Sequence, residues 1–321
     1  MAAIEAEGLR RTYKTHTGTV RRKAKEIEAV RGIDFEVREG ELFGLLGPNG
    51  AGKTTTIKML ITLLIPTAGT ARVLGLDVVK NPNEVRKRIG YVFGGERGVY
   101  ERLSGYDNLR YFAELYGVPP ADQKRRIDEL LDLVGLKGRE HERAEGYSRG
   151  MKQRLHVARG LLHDPQVIFL DEPTIGLDPV GARDVRATIA SLTEAGKTVL
   201  LTTHYMFEAD ALCDRIAVIT QGEIVAEGTP ADLKRGVAEG TVVEVEVFGV
   251  GDDTVERVRG LGGVTAVAVE EREQAQVLVV QTAPDTELTQ AILGCLDGSD
   301  VGRISRREPT LEDAYVALVS E

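Results

Sequence analysis

The chain has 321 residues, with 50 Asp and Glu against 41 Lys and Arg and a formal net charge of -9. That length points to two domains rather than one, and that charge argues against a surface built to wrap nucleic acid, so no nucleic-acid partner is expected. Cys213 and Cys295, the two cysteines, lie far apart without the spacing of a zinc site or redox pair, and the charged start MAAIEAEGLRR is not a secretory signal.

From Ile4 to about Glu227, short β-rich runs alternate with helical stretches. Tyr13, in Arg11-Thr12-Tyr13-Lys14, falls near a strand end, and Arg21-Arg22-Lys23-Ala24-Lys25 reads as a solvated hairpin tip. Leu42 to Leu46 is an apolar strand running into Gly47-Pro48-Asn49-Gly50-Ala51-Gly52-Lys53-Thr54-Thr55, with a helix expected from Lys53 to Leu64, stopping before Pro66. Strand, loop and helix together match the P-loop pattern G-x-x-x-x-G-K-S/T. Its glycines let backbone N–H groups turn inward onto phosphates, Lys53 meets the β and γ phosphates, and Thr54 offers its hydroxyl to magnesium. A helix dipole supplies about 2 kcal/mol at most, so the N–H cradle must add several charge-assisted bonds of about 1.5–3 kcal/mol each. The apolar run Met59 to Ile65, interrupted by one threonine, is far short of the roughly 20 residues of a membrane-crossing helix. No span is expected, so any transport requires another polypeptide.

The strand Ile89 to Phe93 is followed by Gly94-Gly95-Glu96-Arg97. Leu109, Phe112, Leu115 and Tyr116 recur at helical spacing, as do Ile127, Leu130, Leu131 and Val134, which predicts a helical insert over about 95–160. Within Tyr147-Ser148-Arg149-Gly150-Met151-Lys152-Gln153, Ser148 is placed to cap a helix through Leu162, whose first N–H groups form a second anion site. Val167 to Leu170 and Thr198 to Thr202 are apolar without alternation, as in strands buried on both faces of a parallel sheet, so the fold class is α/β. The first of them delivers Asp171 and Glu172 at its carboxyl end, where ligands collect. Asp171 suits magnesium, and Glu172 suits a general base that accepts a proton from an attacking water. Gly176-Leu177-Asp178 and Thr203-His204 follow.

A join near Gly228 to Gly240 divides the chain into residues 1–228 and 229–321. The second part reads as strand Thr241 to Phe248, helix Thr254 to Leu261, strands Val264 to Glu270 and Gln276 to Thr282, helix Asp285 to Leu296, and strand Val301 to Ser305. This βαββαβ order predicts a small ferredoxin-like α+β domain without a catalytic cluster. A last helix follows Thr310, with Asp313 reaching back as in a capping box.

Tyr147 to Gln153 resembles the signature segment of ATP-binding-cassette (ABC) proteins, whose usual core is LSGGQ. Gly176-Leu177-Asp178 looks like that family's D-loop and Thr203-His204 like its switch histidine, so the resemblance covers most of the first 227 residues. The ending Glu308-Pro309-Thr310-Leu311-Glu312-Asp313-Ala314-Tyr315 resembles that of the daunorubicin-resistance type of export ATPase. This resemblance implies a P-loop ATPase cassette with a parallel-sheet core that hydrolyses ATP with Mg2+, using Lys53, Glu172 and His204 as catalytic residues. It also implies a homodimer sandwiching two ATP molecules, Ser148 and Gly150 of one chain facing the γ-phosphate held by the other and Asp178 carrying contacts across the interface. Tyr13 would stack on adenine. The implied partner is an integral permease of the ABC-2 class that exports a drug, lipid or polysaccharide, with this chain at the cytoplasmic face of the membrane. The C-terminal domain would assist dimerisation or regulation.

The chain departs from the family after Phe93, where a glutamine is usual, and Arg149 and Met151 replace the commoner glycine and glutamine of the signature. The alternative is a non-transport ABC ATPase of translation or DNA maintenance. Against it, the stretch between Gly94 and Tyr147 is too short for a long coiled coil, and one cassette occurs where translation factors usually carry two. A monomeric P-loop GTPase would need a guanine-reading NKxD segment, which the chain lacks.

Overall fold

The computed structural model describes residues 2–17, 23–94, 98–238, 241–272, 275–283, 286–296 and 300–320. Arg21, Arg22, Gly95, Glu96, Arg97 and Asp285, singled out above, lie outside the described residues. In chain order the first part comprises β1 (Ala2–Thr17), β2 (Lys23–Arg38), β3 (Leu42–Leu46), α1 (Lys53–Leu60), β4 (Ala68–Val73), β5 (Leu76–Asp77), α2 (Pro82–Arg86) and β6 (Ile89–Phe93). Three helices follow, α3 (Gly105–Leu115), α4 (Pro120–Leu133) and α5 (Arg149–Gly160). Then come β7 (Val167–Asp171), α6 (Pro179–Glu194), β8 (Thr198–Thr203), α7 (Met206–Leu212), β9 (Arg215–Thr220) and β10 (Glu223–Gly228). The second part holds α8 (Pro230–Ala238), β11 (Val242–Phe248), α9 (Asp252–Arg259), β12 (Val264–Arg272), β13 (Ala275–Thr282), α10 (Thr289–Cys295), β14 (Asp300–Arg307) and α11 (Leu311–Ser320). Backbone contacts group the chain into two compact units, residues 1–227 and 228–321.

The centre of the first unit is a six-stranded sheet of order β10-β9-β3-β8-β7-β6, in which β9, β3, β8, β7 and β6 run parallel. Every residue of β3, β7 and β8 is buried, because both faces of a parallel sheet are covered and unbroken apolar runs satisfy both. The order puts the carboxyl ends of β3, β8 and β7 side by side, with Leu46 beside Thr203 and Asp171 beside Thr202. A second, antiparallel sheet has the order β2-β1-β4-β5. Its alternating residues Ile4, Ala6, Ile33, Phe35 and Val37 are buried in one core with Phe43 and Leu45 of β3 and Ile57, Met59 and Leu60 of α1, and Phe35 stacks on Phe43 at 5.6 Å.

Helix α1 is shorter than the expected Lys53 to Leu64. Thr62 turns into the left-handed region at φ 67°, and the N–H groups of Leu63 and Leu64 both bond back to the Lys58 carbonyl. The end of the apolar run is thus a C-terminal turn that leaves Leu63 and Ile65 exposed. Helices α3 to α5 form the insertion between β6 and β7, and α3 starts at Ser104, whose Oγ accepts the Asp107 N–H at 3.0 Å.

In the second unit all pairings of the β12-β13-β11-β14 sheet are antiparallel. A βαββαβ chain threaded in that order is the ferredoxin-like arrangement. Val243, Val245, Val247, Leu278 and Val280 pack on Val258 of α9 and Ile292 of α10. At α11 the Thr310 hydroxyl and N–H both donate to Asp313 Oδ2 at 2.7 Å. Arg307 adds a link invisible in the sequence: its Nη2 donates to Asp313 Oδ1 at 3.0 Å and its Nε to Glu244 Oε1 at 2.9 Å.

Candidate functional site

Between β3 and α1 the backbone wraps a cavity of about 240 Å³ walled by Pro48, Asn49, Gly50, Gly52, Lys53, Thr54, Thr55, Ala29 and Glu172. Two glycines are required by space. A Cβ on Gly47 would sit 2.1 Å from the Ile219 carbonyl oxygen, and one on Gly52, at φ +111°, would sit 2.5 Å from that of Ala29. The loop therefore lies directly on β2 and β9, and it is closed by hydrogen bonds from the Gly47 N–H to the Thr203 carbonyl at 3.3 Å and from the Ala51 N–H to the Pro48 carbonyl at 3.2 Å. Ala51 is buried behind it.

Lys53 is almost fully buried, and its ammonium donates to the carbonyls of Gly47 at 2.6 Å and Pro48 at 3.1 Å. It also lies 3.2 Å from Glu172 Oε1, and His204 Nδ1 approaches the same oxygen at 3.5 Å. A single carboxylate oxygen is thus the meeting point of three strand ends. Glu172 holds a left-handed φ of 50°, which for a residue with a side chain costs about 1–2 kcal/mol. Its N–H is anchored on the Thr202 carbonyl at 3.0 Å, so the neighbouring strand fixes the bend.

Asp171 is buried, and its Oδ1 accepts from Thr202 Oγ1 at 2.6 Å and Thr54 Oγ1 at 3.1 Å. Burial, with the Asp171 charge and hydrogen bond behind it, pushes the nearby Tyr91 phenol up to about 12. Thr202, Tyr91 and Ala29 escaped the sequence reading because they come from strands remote in the chain. Glu208 escaped it as well. It is buried on α7 four residues past His204, and that burial raises its pKa.

Ser148, Gly150 and Asp178 do not line the cavity; they form a second cluster where α5 and α6 begin. Ser148 caps α5, its Oγ accepting the Met151 N–H at 3.2 Å. Asp178 caps α6 by accepting the N–H groups of Val180 and Gly181 at 3.0 and 2.9 Å. A Cβ on Gly150 would meet Gly181 Cα at 3.0 Å, so glycine at both positions lets the two helix starts touch. Tyr13, on β1, is also away from the cavity wall, paired with Ile27 of β2 and with the Arg11 guanidinium 4.9 Å from its ring centre. Gly94 occupies the usual place of the family's glutamine. Its N–H donates to the Asp171 carbonyl at 2.7 Å, and a Cβ there would lie 2.2 Å from the Glu172 carbonyl oxygen. In this backbone the position admits no side chain.

Comparison with known proteins accords with this geometry. The ABC transporter family model matches residues 30–175. Over 317 residues the chain is 34% identical to the linearmycin resistance ATP-binding protein LnrL of Bacillus subtilis (strain 168), covering 98% of this chain and 97% of that protein. The chain belongs to the ATP-binding proteins of ABC transporters. This ABC ATPase is also 47% identical over 232 residues to the daunorubicin/doxorubicin resistance ATP-binding protein DrrA of Streptomyces peucetius, covering 72% of this chain and 67% of that one. Among solved structures it is similar to the dimeric structure of MJ0796, a bacterial ABC transporter cassette, with TM-score 0.61, 25% identity, and coverage of 70% of this chain and 98% of that chain.

Proposed function

We propose that two copies of this ABC ATPase close on two ATP molecules and drive a separate integral permease that exports a drug, lipid or polysaccharide. The convergence of Lys53 and His204 on Glu172 Oε1 at the mouth of the phosphate cradle carries this reading. When the γ-phosphate enters, Lys53 exchanges the carboxylate for phosphate oxygens, and Glu172 is released to accept the proton of an attacking water. His204, on the next strand end, holds the γ-phosphate in line. Ser148 and the first N–H groups of α5 meet that phosphate from the partner chain.

Thr54 Oγ1 and Asp171 Oδ1, 3.1 Å apart, are the hard oxygen donors that Mg2+ takes, and they would hold it. Bound there, the ion would neutralise charge on the phosphate oxygens. Among the described residues no helix is long and apolar enough to cross a membrane, which supports a permease on another chain and a peripheral place at the cytoplasmic membrane face. Two relatives bear antibiotic-resistance names, and that favours a drug as cargo. Glu172→Gln tests the chemistry. ATP affinity is expected to persist while turnover falls at least about 100-fold; unchanged steady-state hydrolysis would refute the assignment. Co-purification of the full chain with a polytopic membrane protein tests the partner.

A further inference from the structure

Three residues on one face of α5, at spacings of three, reach the segment that leaves β6. Gln153, buried, donates from Nε2 to the Phe93 carbonyl at 3.3 Å. His156, 1% exposed, sets its ring edge-on to Phe93 at 4.5 Å. Arg159 donates from Nη1 to the Gly98 carbonyl at 2.7 Å, and its guanidinium lies 4.7 Å from the Phe112 ring centre on α3. Nη2 of Arg159 meets His156 Nε2. Arginine can only donate, so that nitrogen accepts and the imidazole is neutral. Burial, then the Arg159 charge, holds the His156 pKa down at about 3. The site described above needs none of these side chains.

Phe93 pairs with Asp171 across β6 and β7, and Gly94 bonds to the Asp171 carbonyl. The same helix carries Ser148 at its start. We propose that Gln153, His156 and Arg159 are positioning residues, a clamp that ties the Ser148-bearing helix to Phe93, the neighbour of Asp171 in the sheet, and to the Gly98 carbonyl further along the chain. Docking of that helix on a partner's nucleotide then aligns the chain's own acidic pair in the same movement. With no side chain possible at Gly94, main-chain carbonyls are the handles that the helix grips. This inference rests on the two-chain reading of the site.

Steady-state ATPase kinetics and ATP titration of the full chain test it, with thermal melts alongside. Arg159→Met keeps the apolar stem over Phe112 and removes the donors. It is expected to lower kcat about tenfold while KM and ATP affinity stay within about twofold. His156→Gln, which keeps an acceptor for Arg159, should hydrolyse like wild type, whereas His156→Leu should match Arg159→Met. A merely structural role would lower the melting temperature and leave kcat per folded molecule unchanged; that result, or a kcat loss matched by lost ATP affinity, overturns the clamp. If Arg159→Met does not fold, the His156 pair decides by the same criterion. Ser148→Ala, run in parallel, separates the two failures. Wild-type hydrolysis in Ser148→Ala removes the two-chain reading and the clamp with it, while a loss there beside a normal Arg159→Met removes the clamp alone.

Discussion

Lys53 spends two of its three donors on the carbonyls of its own loop and the third on Glu172. Its ammonium is therefore fixed before any phosphate arrives, and binding costs little side-chain entropy. Lys53→Ala should weaken ATP binding by about 1.5–3 kcal/mol, read by calorimetric titration, because a charge-assisted bond is lost. Gly94→Gln, which would restore the residue usual in the family, is expected to do harm. Its Cβ would press on the Glu172 carbonyl, so kcat should fall and the melt should register about 1–3 kcal/mol of overpacking. Residues of the phosphate loop and the acidic pair were legible in the sequence because each follows its own strand within a few positions. Thr202 and Tyr91 were not, since they reach Asp171 only through sheet order, which no local pattern records.

Elements were legible where periodicity was strong and blurred where a turn interrupted it. β3, β7 and β8 follow directly from unbroken apolar runs. The overlong expectation for α1 failed because Thr62 adopts a left-handed turn inside an apolar stretch that reads as helix. At α11 the capping pattern was visible, but the Arg307 fork that shares Asp313 was not, being a contact between strand and helix ends. Burial pushes the Asp313 carboxyl up, yet Arg307 and the Thr310 N–H and hydroxyl outweigh it and hold the pKa below its ordinary 3.8. A depressed folded-state value gives stability that is present above 3.8 and is lost as pH falls through the folded pKa. Acid unfolding of the second unit followed by circular dichroism should show this loss below about pH 4, and Asp313→Asn should flatten it.

At the scale of the whole molecule, the large apolar cluster drawn from β1, β2, β3 and α1 lies within residues 1–227, while the valine-rich clusters of the ferredoxin-like sheet lie within 228–321. A fragment of residues 1–228 should accordingly fold and keep wild-type ATP affinity; loss of binding in that fragment would show that the second unit supports the nucleotide site. The α/β class was readable because parallel strands and a P-loop constrain each other, whereas the cargo was not, since its contacts would belong to another polypeptide. Central to the account is the clamping of nucleotide between the Lys53 loop of one protomer and the Ser148 helix start of its partner. Light scattering on Glu172→Gln with and without ATP tests this most directly. The account predicts monomer mass without nucleotide, doubled mass with it, and no doubling when Ser148→Arg is added. Full-rate ATP hydrolysis by a wild-type chain that remains a monomer throughout would contradict it.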